Sequence, residues 1–86
     1  MFVILTYDVK KERVAKVCKI CRNYLHHIQK SVFEGMITQK KLYQLQDELK
    51  KNIYPMEDSI QIYKIESLKY AAKEQLGTAE PQGNII

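Results

Sequence analysis

The hydrophobic and polar positions of this chain follow two periods, and each block of the pattern predicts one element. The first block, Phe2 to Tyr7, is an unbroken run of apolar, aromatic and β-branched residues that ends on the acid Asp8. A short run of this kind, followed by charged residues, is typical of a strand buried on both faces. It predicts a strand over Phe2 to Val9, with Asp8 where the strand emerges from the sheet.

Two blocks repeat apolar residues at the spacing of one helix face. The first predicts a helix from about Lys11 to Leu25, with apolar positions Val14, Val17, Cys18, Cys21 and Leu25. The second predicts a helix from about Gln39 to Asn52, with apolar positions Leu42, Leu45, Leu49 and Ile53. Thr38 can cap the second helix, and Pro55 closes that unit.

Two further blocks favour strands. His26 to Ile37 is rich in β-favouring residues and has a tight-turn position at Lys30 and Ser31, so it predicts a short hairpin, with one long bent strand as the alternative. Asp58 to Ile65 alternates between two faces and predicts a last strand with one wetter side. Its apolar face carries Ile60 and Ile62, and its other face carries Ser59, Gln61 and Tyr63.

The element order βαββαβ predicts an α+β fold, a ferredoxin-like sandwich of four strands under two helices, over residues 1–76. Residues 77–86 would be a Gly/Pro linker and a short extra C-terminal strand at Asn84 to Ile86, or else a frayed end. An 86-residue chain buries only about 60 to 65% of its unfolded surface, so an uncovered apolar sheet face would be costly. The pattern therefore predicts a homodimer.

Charge and composition restrict the class of binding partner and the expected cellular location. The formal net charge of +4 favours a polyanion, either nucleic acid or an acidic membrane surface. No segment approaches the roughly 18 to 20 apolar residues of a membrane span, and the N-terminus lacks the features of a signal peptide. We therefore expect a cytoplasmic protein that is not embedded in a membrane, with its two cysteines reduced.

Asp8 is the first candidate site. One carboxylate is a poor magnesium site, because the ion prefers six oxygen ligands. Two copies of Asp8 facing each other across a two-fold axis could hold one Mg²⁺, which could activate water to attack a phosphodiester. We therefore predict Asp8 as metal ligand and catalytic residue, with Mg²⁺ as cofactor. The alternative is that Asp8 caps the following helix.

The cysteines and histidines form a weaker candidate. Cys18 and Cys21 have CxxC spacing and, with His26, match three ligands of a zinc knuckle, but Ser31 stands at the fourth position. Both cysteines lie on the apolar stripe of the helix, which favours core packing. Adjacent His26 and His27 would point to opposite faces of a strand, so a joint role is not expected.

Basic residues form a third candidate on the first helix. Lys16, Lys19 and Arg22 recur at three-residue intervals away from the apolar stripe. Such a basic ridge can contact phosphates without reading sequence. A solvated helix face is the alternative.

Three groups of residues together resemble a known family. They are Tyr7-Asp8-Val9 at the end of the first strand, Arg13 in the first helix, and above all Gln29-Lys30-Ser31-Val32-Phe33-Glu34-Gly35. They are similar to the small subunit of the CRISPR spacer-acquisition pair, a family often labelled CRISPR-associated endoribonuclease. The resemblance spans almost the whole chain and includes Ile62-Tyr63 and Leu76-Gly77.

The resemblance implies a ferredoxin-like homodimer with magnesium at the residues matching Asp8. It also implies a DNA-holding bridge between two dimers of the larger integrase subunit. For Arg13 it implies a phosphate or structural contact, and for Phe33 an interface or substrate-side position. Further nucleic-acid or interface candidates are Tyr7, Gln29 and Ser31. The family commonly has an arginine where this chain has His27, so the contact of that arginine is not assured here.

Two functions of different class are compatible with these residues. One is a magnesium-dependent endonuclease acting on RNA or DNA. The other is a non-catalytic scaffold whose basic ridge grips DNA and whose tail docks the integrase. We favour the scaffold as the physiological role and the nuclease as the activity of purified protein. A sheet-platform RNA-binding module is disfavoured, because Lys30 to Ile37 lacks its Lys/Arg-Gly-aromatic pattern.

Overall fold

The apolar run at the N-terminus forms the strand around which the other elements assemble. The computed structural model describes residues 1–66. In chain order the elements are β1 (Phe2–Asp8), α1 (Lys11–Arg22), β2 (His26–Gln29), β3 (Val32–Met36), α2 (Gln39–Lys50) and β4 (Ser59–Ile65). All neighbouring strands pair antiparallel, in the order β2-β3-β1-β4. This arrangement is the ferredoxin-like fold, as predicted.

The core lies between the helices and one face of the sheet. Val3, Leu5 and Tyr7 of β1 point into it and pack with the buried residues of both helices. The residues between them, Phe2, Ile4 and Thr6, lie on the opposite face and are half-buried. The prediction that β1 is buried on both faces is therefore correct only in part, because the helices of one chain cover a single face. We call the opposite side the open face.

The helices begin where predicted and end earlier. Thr38 caps α2 through its hydroxyl oxygen, which accepts from the backbone N–H of Lys41 at 3.2 Å. In α1, the chain turns after Arg22, and the N–H groups of Tyr24 and Leu25 both bond to the carbonyl oxygen of Cys21. Leu25 is still buried, so the apolar pattern continues beyond the last helical residue.

The predicted hairpin is confirmed, with a two-residue connection at Lys30 and Ser31 between β2 and β3. His26 is exposed and His27 is buried, so they do lie on opposite faces. His27 Nε2 donates to the carbonyl oxygen of Lys30 at 3.0 Å, and its ring stacks on Phe33 at a centroid distance of 4.3 Å. His27 thus stabilises the hairpin from inside.

Some predictions concern residues beyond position 66. The domain boundary after residue 76 and the short strand at Asn84 to Ile86 lie outside the described residues. Within residues 1–66, neither helix is long and apolar enough to cross a membrane.

Candidate functional site around Asp8

Asp8 ends β1 with an exposed side chain and lies opposite Ser59 of β4. Among residues 1–66, its carboxylate has no hydrogen-bond or ion-pair partner. The alternative that Asp8 caps α1 is wrong. The N-cap residue is Lys10, and the Asp8 carboxylate accepts no hydrogen bond from the first turn of the helix. The Asp8 carboxylate is therefore free to bind a ligand.

Oxygen-bearing side chains surround Asp8 on the open face. The β1–β4 register pairs Asp8 with Ser59 and Thr6 with Gln61, so all four side chains lie on the same face. Together with Tyr7 they line a cavity of about 210 Å³. Carboxylate, hydroxyl and amide oxygens are the ligands preferred by hard cations such as Mg²⁺. The donor set therefore fits the predicted ion.

One chain provides only part of such a site. Within the described range, no three His, Cys, Asp or Glu side chains cluster in a way that could hold a metal. Sequence reasoning missed Thr6, Ser59 and Gln61. The alternation in β4 did place Ser59 and Gln61 on one face, but their position beside Asp8 depends on β4 pairing with β1.

A second cavity, of about 290 Å³, lies on the other side of Asp8. It is formed by the end of β1, the start of α1 and the β2–β3 turn, and it is lined by Tyr7, Asp8, Val9, Val14, Lys30 and Ser31. The structure thus brings two predicted residues, Tyr7 and Ser31, close to Asp8. Tyr7 and Asp8 line both this cavity and the oxygen-lined one.

Tyr7 was predicted to contact nucleic acid or another chain, but its side chain is buried in the core. Its hydroxyl lies 2.6 Å from Cys18 Sγ and donates to the carbonyl oxygen of Lys30 at 3.3 Å. Burial and the Cys18 contact raise the pKa of Tyr7 well above its usual range. Tyr7 therefore keeps its proton and joins β1, α1 and the β2–β3 turn.

Arg13 was assigned a phosphate or structural contact, and its geometry supports the structural one. Its guanidinium donates to both carboxylate oxygens of Asp58, at 2.6 and 3.0 Å, and to Glu57 at 2.8 Å. It also lies 4.4 Å from the ring centroid of Tyr54. With its donors paired in this way, Arg13 is held against the loop that precedes β4.

Asp58 is the most important residue that sequence reasoning missed. Its side chain is fully buried, and it also accepts from the backbone N–H groups of Lys10 and Tyr54, each at 2.9 Å. The Arg13 guanidinium holds the pKa of Asp58 well below its usual range. The strand β4 therefore begins at Ser59, one residue later than predicted, and Asp58 instead stabilises the turn that follows Asp8.

Phe33 and Gln29 do not join Asp8. Phe33 is completely buried, with its ring centroid 6.3 Å from that of Tyr7, so the expected interface or substrate-side position is wrong for this side chain. Gln29 is exposed as the last residue of β2, opposite Val32 and next to the β2–β3 turn, but it lines neither cavity beside Asp8. Because His27 is buried against Phe33, it does not present the surface contact expected of the family's arginine.

The basic ridge is exposed as predicted but does not form a straight row. A step of three residues rotates a side chain by about 60° around a helix, so Lys16, Lys19 and Arg22 point in successive directions. Arg22 lines a cavity beside α1 together with Lys11, Val14, Ala15 and Cys18. Lys16 and Lys19 do not line it. The three side chains therefore spread over about 120° of the helix surface, and of these three only Arg22 lines the cavity.

Both cysteines are free thiols buried in the core, which confirms the prediction that they serve core packing. Burial raises the pKa of Cys21 to about 12, so its thiol remains protonated at neutral pH. Neither metal binding nor redox chemistry is favoured in such surroundings.

Comparison with known proteins identifies the family. Residues 1–73 match the family model described as CRISPR associated protein Cas2. A Thermotoga maritima protein named CRISPR-associated endoribonuclease Cas2 is 40% identical over 86 residues, covering 100% of this chain and 99% of the relative. A Thermodesulfovibrio yellowstonii protein named CRISPR-associated endoribonuclease Cas2 3 is 43% identical over 86 residues, covering 99% and 98%.

A solved structure agrees with the sequence relatives. A crystal structure of Cas2 superposes with a TM-score of 0.82 and 38% sequence identity, covering 93% of this chain and 90% of that chain. The sequence match and the shared fold agree over most of the chain, including the strand that ends at Asp8. The chain therefore belongs to the Cas2 family of CRISPR-associated proteins.

Proposed function

We propose that this protein acts in CRISPR adaptation as a homodimer that binds nucleic acid and hydrolyses phosphodiester bonds, with Mg²⁺ bound between two copies of Asp8. The observation that carries the proposal is the exposed Asp8 carboxylate, which has no partner among residues 1–66 and stands beside three oxygen-bearing side chains. A carboxylate in this state is available to a cation.

Dimerisation through the open face would complete the site. This face exposes Met36 and Tyr63, whose accessible fractions are 64% and 53%. Phe2, Ile4 and Ile65 on the same face are half-buried. A second copy packed here would remove this apolar surface from water. A two-fold axis near the end of β1 would supply the second carboxylate.

Each residue of the site has a role that its chemistry supports. Asp8 would hold the ion, and the ion would supply a water of lowered pKa and neutralise phosphate charge. Thr6 and Ser59 can orient water through their hydroxyls. The amide oxygen of Gln61 accepts from the Tyr63 hydroxyl at 2.8 Å, which leaves its amide nitrogen to donate to a neighbouring oxygen.

RNA is the first substrate to test, because the Thermotoga maritima relative is named an endoribonuclease. The net charge of +4 suits RNA and DNA equally. The test follows cleavage of labelled single-stranded RNA and double-stranded DNA, with Mg²⁺ or with chelator, by the parent and by Asp8→Asn. We expect magnesium-dependent cleavage by the parent and none by the variant.

A matched control is available on α2. Asp47 is an exposed acid that forms a surface ion pair with Lys51 at 3.1 Å and lines neither cavity beside Asp8, so Asp47→Asn should cleave like the parent. Cleavage by Asp8→Asn at the parent's rate, or cleavage that persists in chelator, would remove Asp8 and Mg²⁺ from the reaction.

The second candidate function is a non-catalytic scaffold, and the outward lysines of α1 favour it. Lys16 and Lys19 are exposed and line neither cavity beside Asp8, so they could bind duplex phosphates without directing them to a reactive centre. The partner would be the larger integrase subunit, docked by the C-terminal tail. Deleting residues 84–86 should then weaken integrase binding and leave cleavage intact. Unchanged integrase binding would contradict this docking role.

A further inference from the structure

Two adjacent cavities form a groove along α1 that begins at Asp8. The first, of about 290 Å³, reaches from Asp8 to Val14, and the second, of about 420 Å³, reaches from Val14 to Arg22. Val14 lines both, so the two cavities lie side by side along α1. We call this feature the α1 groove.

The helix turns a basic surface with Lys11 and Arg22 towards this groove. Lys11, Ala15, Cys18 and Arg22 are spaced at four, three and four residues, which places them on one side of α1. The positive charge of Arg22 acts on the Tyr7 hydroxyl and opposes the rise in its pKa. Arg22 lines the groove, whereas Lys16 and Lys19 do not line it.

The groove combines a cationic rim with an apolar floor. Lys11, Arg22 and Lys30 are exposed at its edges, and Val9 and Val14 are half-buried within it. Its one acid, Asp8, stands at its end. A duplex keeps the faces of its bases stacked inside and presents phosphates, sugars and base edges, so it cannot lay a base face on an apolar surface. A single strand can place phosphates on cations and an unstacked base on an apolar surface.

We propose that the α1 groove binds a single strand of nucleic acid. Phosphates contact Lys11, Lys30 and Arg22, and one base lies on Val9 and Val14. The neighbouring phosphate is thereby directed towards Asp8. The inference deepens the proposed function, because it identifies where a substrate strand lies before cleavage and separates that surface from the outward lysines.

The test compares two double variants that lose equal charge from the same helix. Lys11→Ala/Arg22→Ala removes the α1 contacts of the groove, and Lys16→Ala/Lys19→Ala removes the outward lysines; all four residues are exposed, so both variants should fold. Binding of a labelled single strand, as RNA and as DNA of the same sequence, is measured in chelator across a salt series. A duplex of that sequence is the comparison ligand.

We expect the groove variant to lose about tenfold in single-strand affinity, with a salt slope shallower by about 1.4. The outward variant should bind the single strand within about twofold of the parent. A loss of affinity by the groove variant for both RNA and DNA supports the proposal. A loss for RNA alone also supports it, and adds a contact to the 2′-hydroxyl.

Equal losses in the two variants would show diffuse attraction and overturn the proposal. Failure of the parent to bind either single strand would overturn it too. Because binding is measured without metal and with Asp8 intact, this result is independent of the cleavage test. A groove that binds and a protein that does not cleave would together reject only the hydrolytic proposal.

Discussion

At the scale of single residues, two aspartates with similar sequence contexts have opposite environments. Asp8 and Asp58 each stand at one end of a β-forming run. Asp58 is fully buried and accepts hydrogen bonds from Arg13, Lys10 and Tyr54, whereas Asp8 is exposed without a partner among residues 1–66. Because a buried carboxylate is tolerated only when it is paired, Asp58 serves the fold and Asp8 is left for a ligand.

The pairing of Asp58 predicts acid-sensitive stability. Its pKa is lowered in the folded state, so its contribution is complete above the ordinary aspartate pKa of about 4 and is lost as the pH falls below that value. Asp58→Asn should therefore lower the thermal unfolding midpoint at pH 7. The gap between variant and parent should narrow at pH 3, as followed by circular dichroism.

The exposed acid beside Asp58 is the matched control. Glu57 also bonds to Arg13, but its side chain is 46% exposed, so Glu57→Gln should change the midpoint much less. A gap between Asp58→Asn and the parent that stayed constant from pH 7 to pH 3 would contradict the assigned ion pair.

At the scale of elements, the two helices begin by different means. Thr38 caps α2 from within its own segment. The start of α1 is fixed by a residue 48 positions further along the chain, because Asp58 accepts from the N–H of Lys10, the N-cap residue. A local sequence signal therefore exists for the first arrangement, and none exists for the second.

The cap of α2 gives a quantitative prediction. Thr38→Ala removes the acceptor for the Lys41 N–H and should lower the free energy of unfolding by about 1 kcal/mol. Thr38→Asp keeps an acceptor and should retain most of the stability. Urea denaturation of both variants checks this. Equal destabilisation by alanine and aspartate would show that the hydroxyl does not act as a cap.

The periodic pattern predicted the order, number and type of these elements, and it failed in ways that have a physical cause. Leu25 and Ile53 continue the apolar stripes after α1 and α2 have ended, because burial depends on position and not on helical hydrogen bonds. The oxygen cluster of Thr6, Asp8, Ser59 and Gln61 arises from strands far apart in sequence. Only the β1–β4 register brings these residues together.

At the scale of the whole molecule, one face of the sheet is covered by helices and the other carries exposed apolar residues. Met36 and Tyr63 are prominent among them. The sequence predicted this imbalance from the apolar character of β1, and the resemblance to a dimeric family gave the same expectation. The homodimer remains a proposal, and the open face is where it can be tested.

Two tyrosines of similar exposure allow a controlled test of the dimer. Tyr63 lies on the open face opposite Ile4 and is 53% exposed, whereas Tyr43 lies on α2 and is 63% exposed. Tyr63→Glu should convert the dimer to monomer in sedimentation experiments, because it would place a charge in an apolar interface. Tyr43→Glu should remain dimeric. A parent protein that is monomeric, or two variants that behave alike, would show that the open face carries no dimer interface.

The most direct test of the paired Asp8 site measures cleavage by mixed dimers. Parent and Asp8→Asn proteins are mixed in different ratios at constant total concentration, allowed to exchange subunits, and assayed on labelled RNA with Mg²⁺. If both carboxylates hold the ion, activity should fall as the square of the parent fraction, to about a quarter at equal mixing. A linear fall to about half would mean that each chain acts alone, and would contradict a site shared between two copies of Asp8.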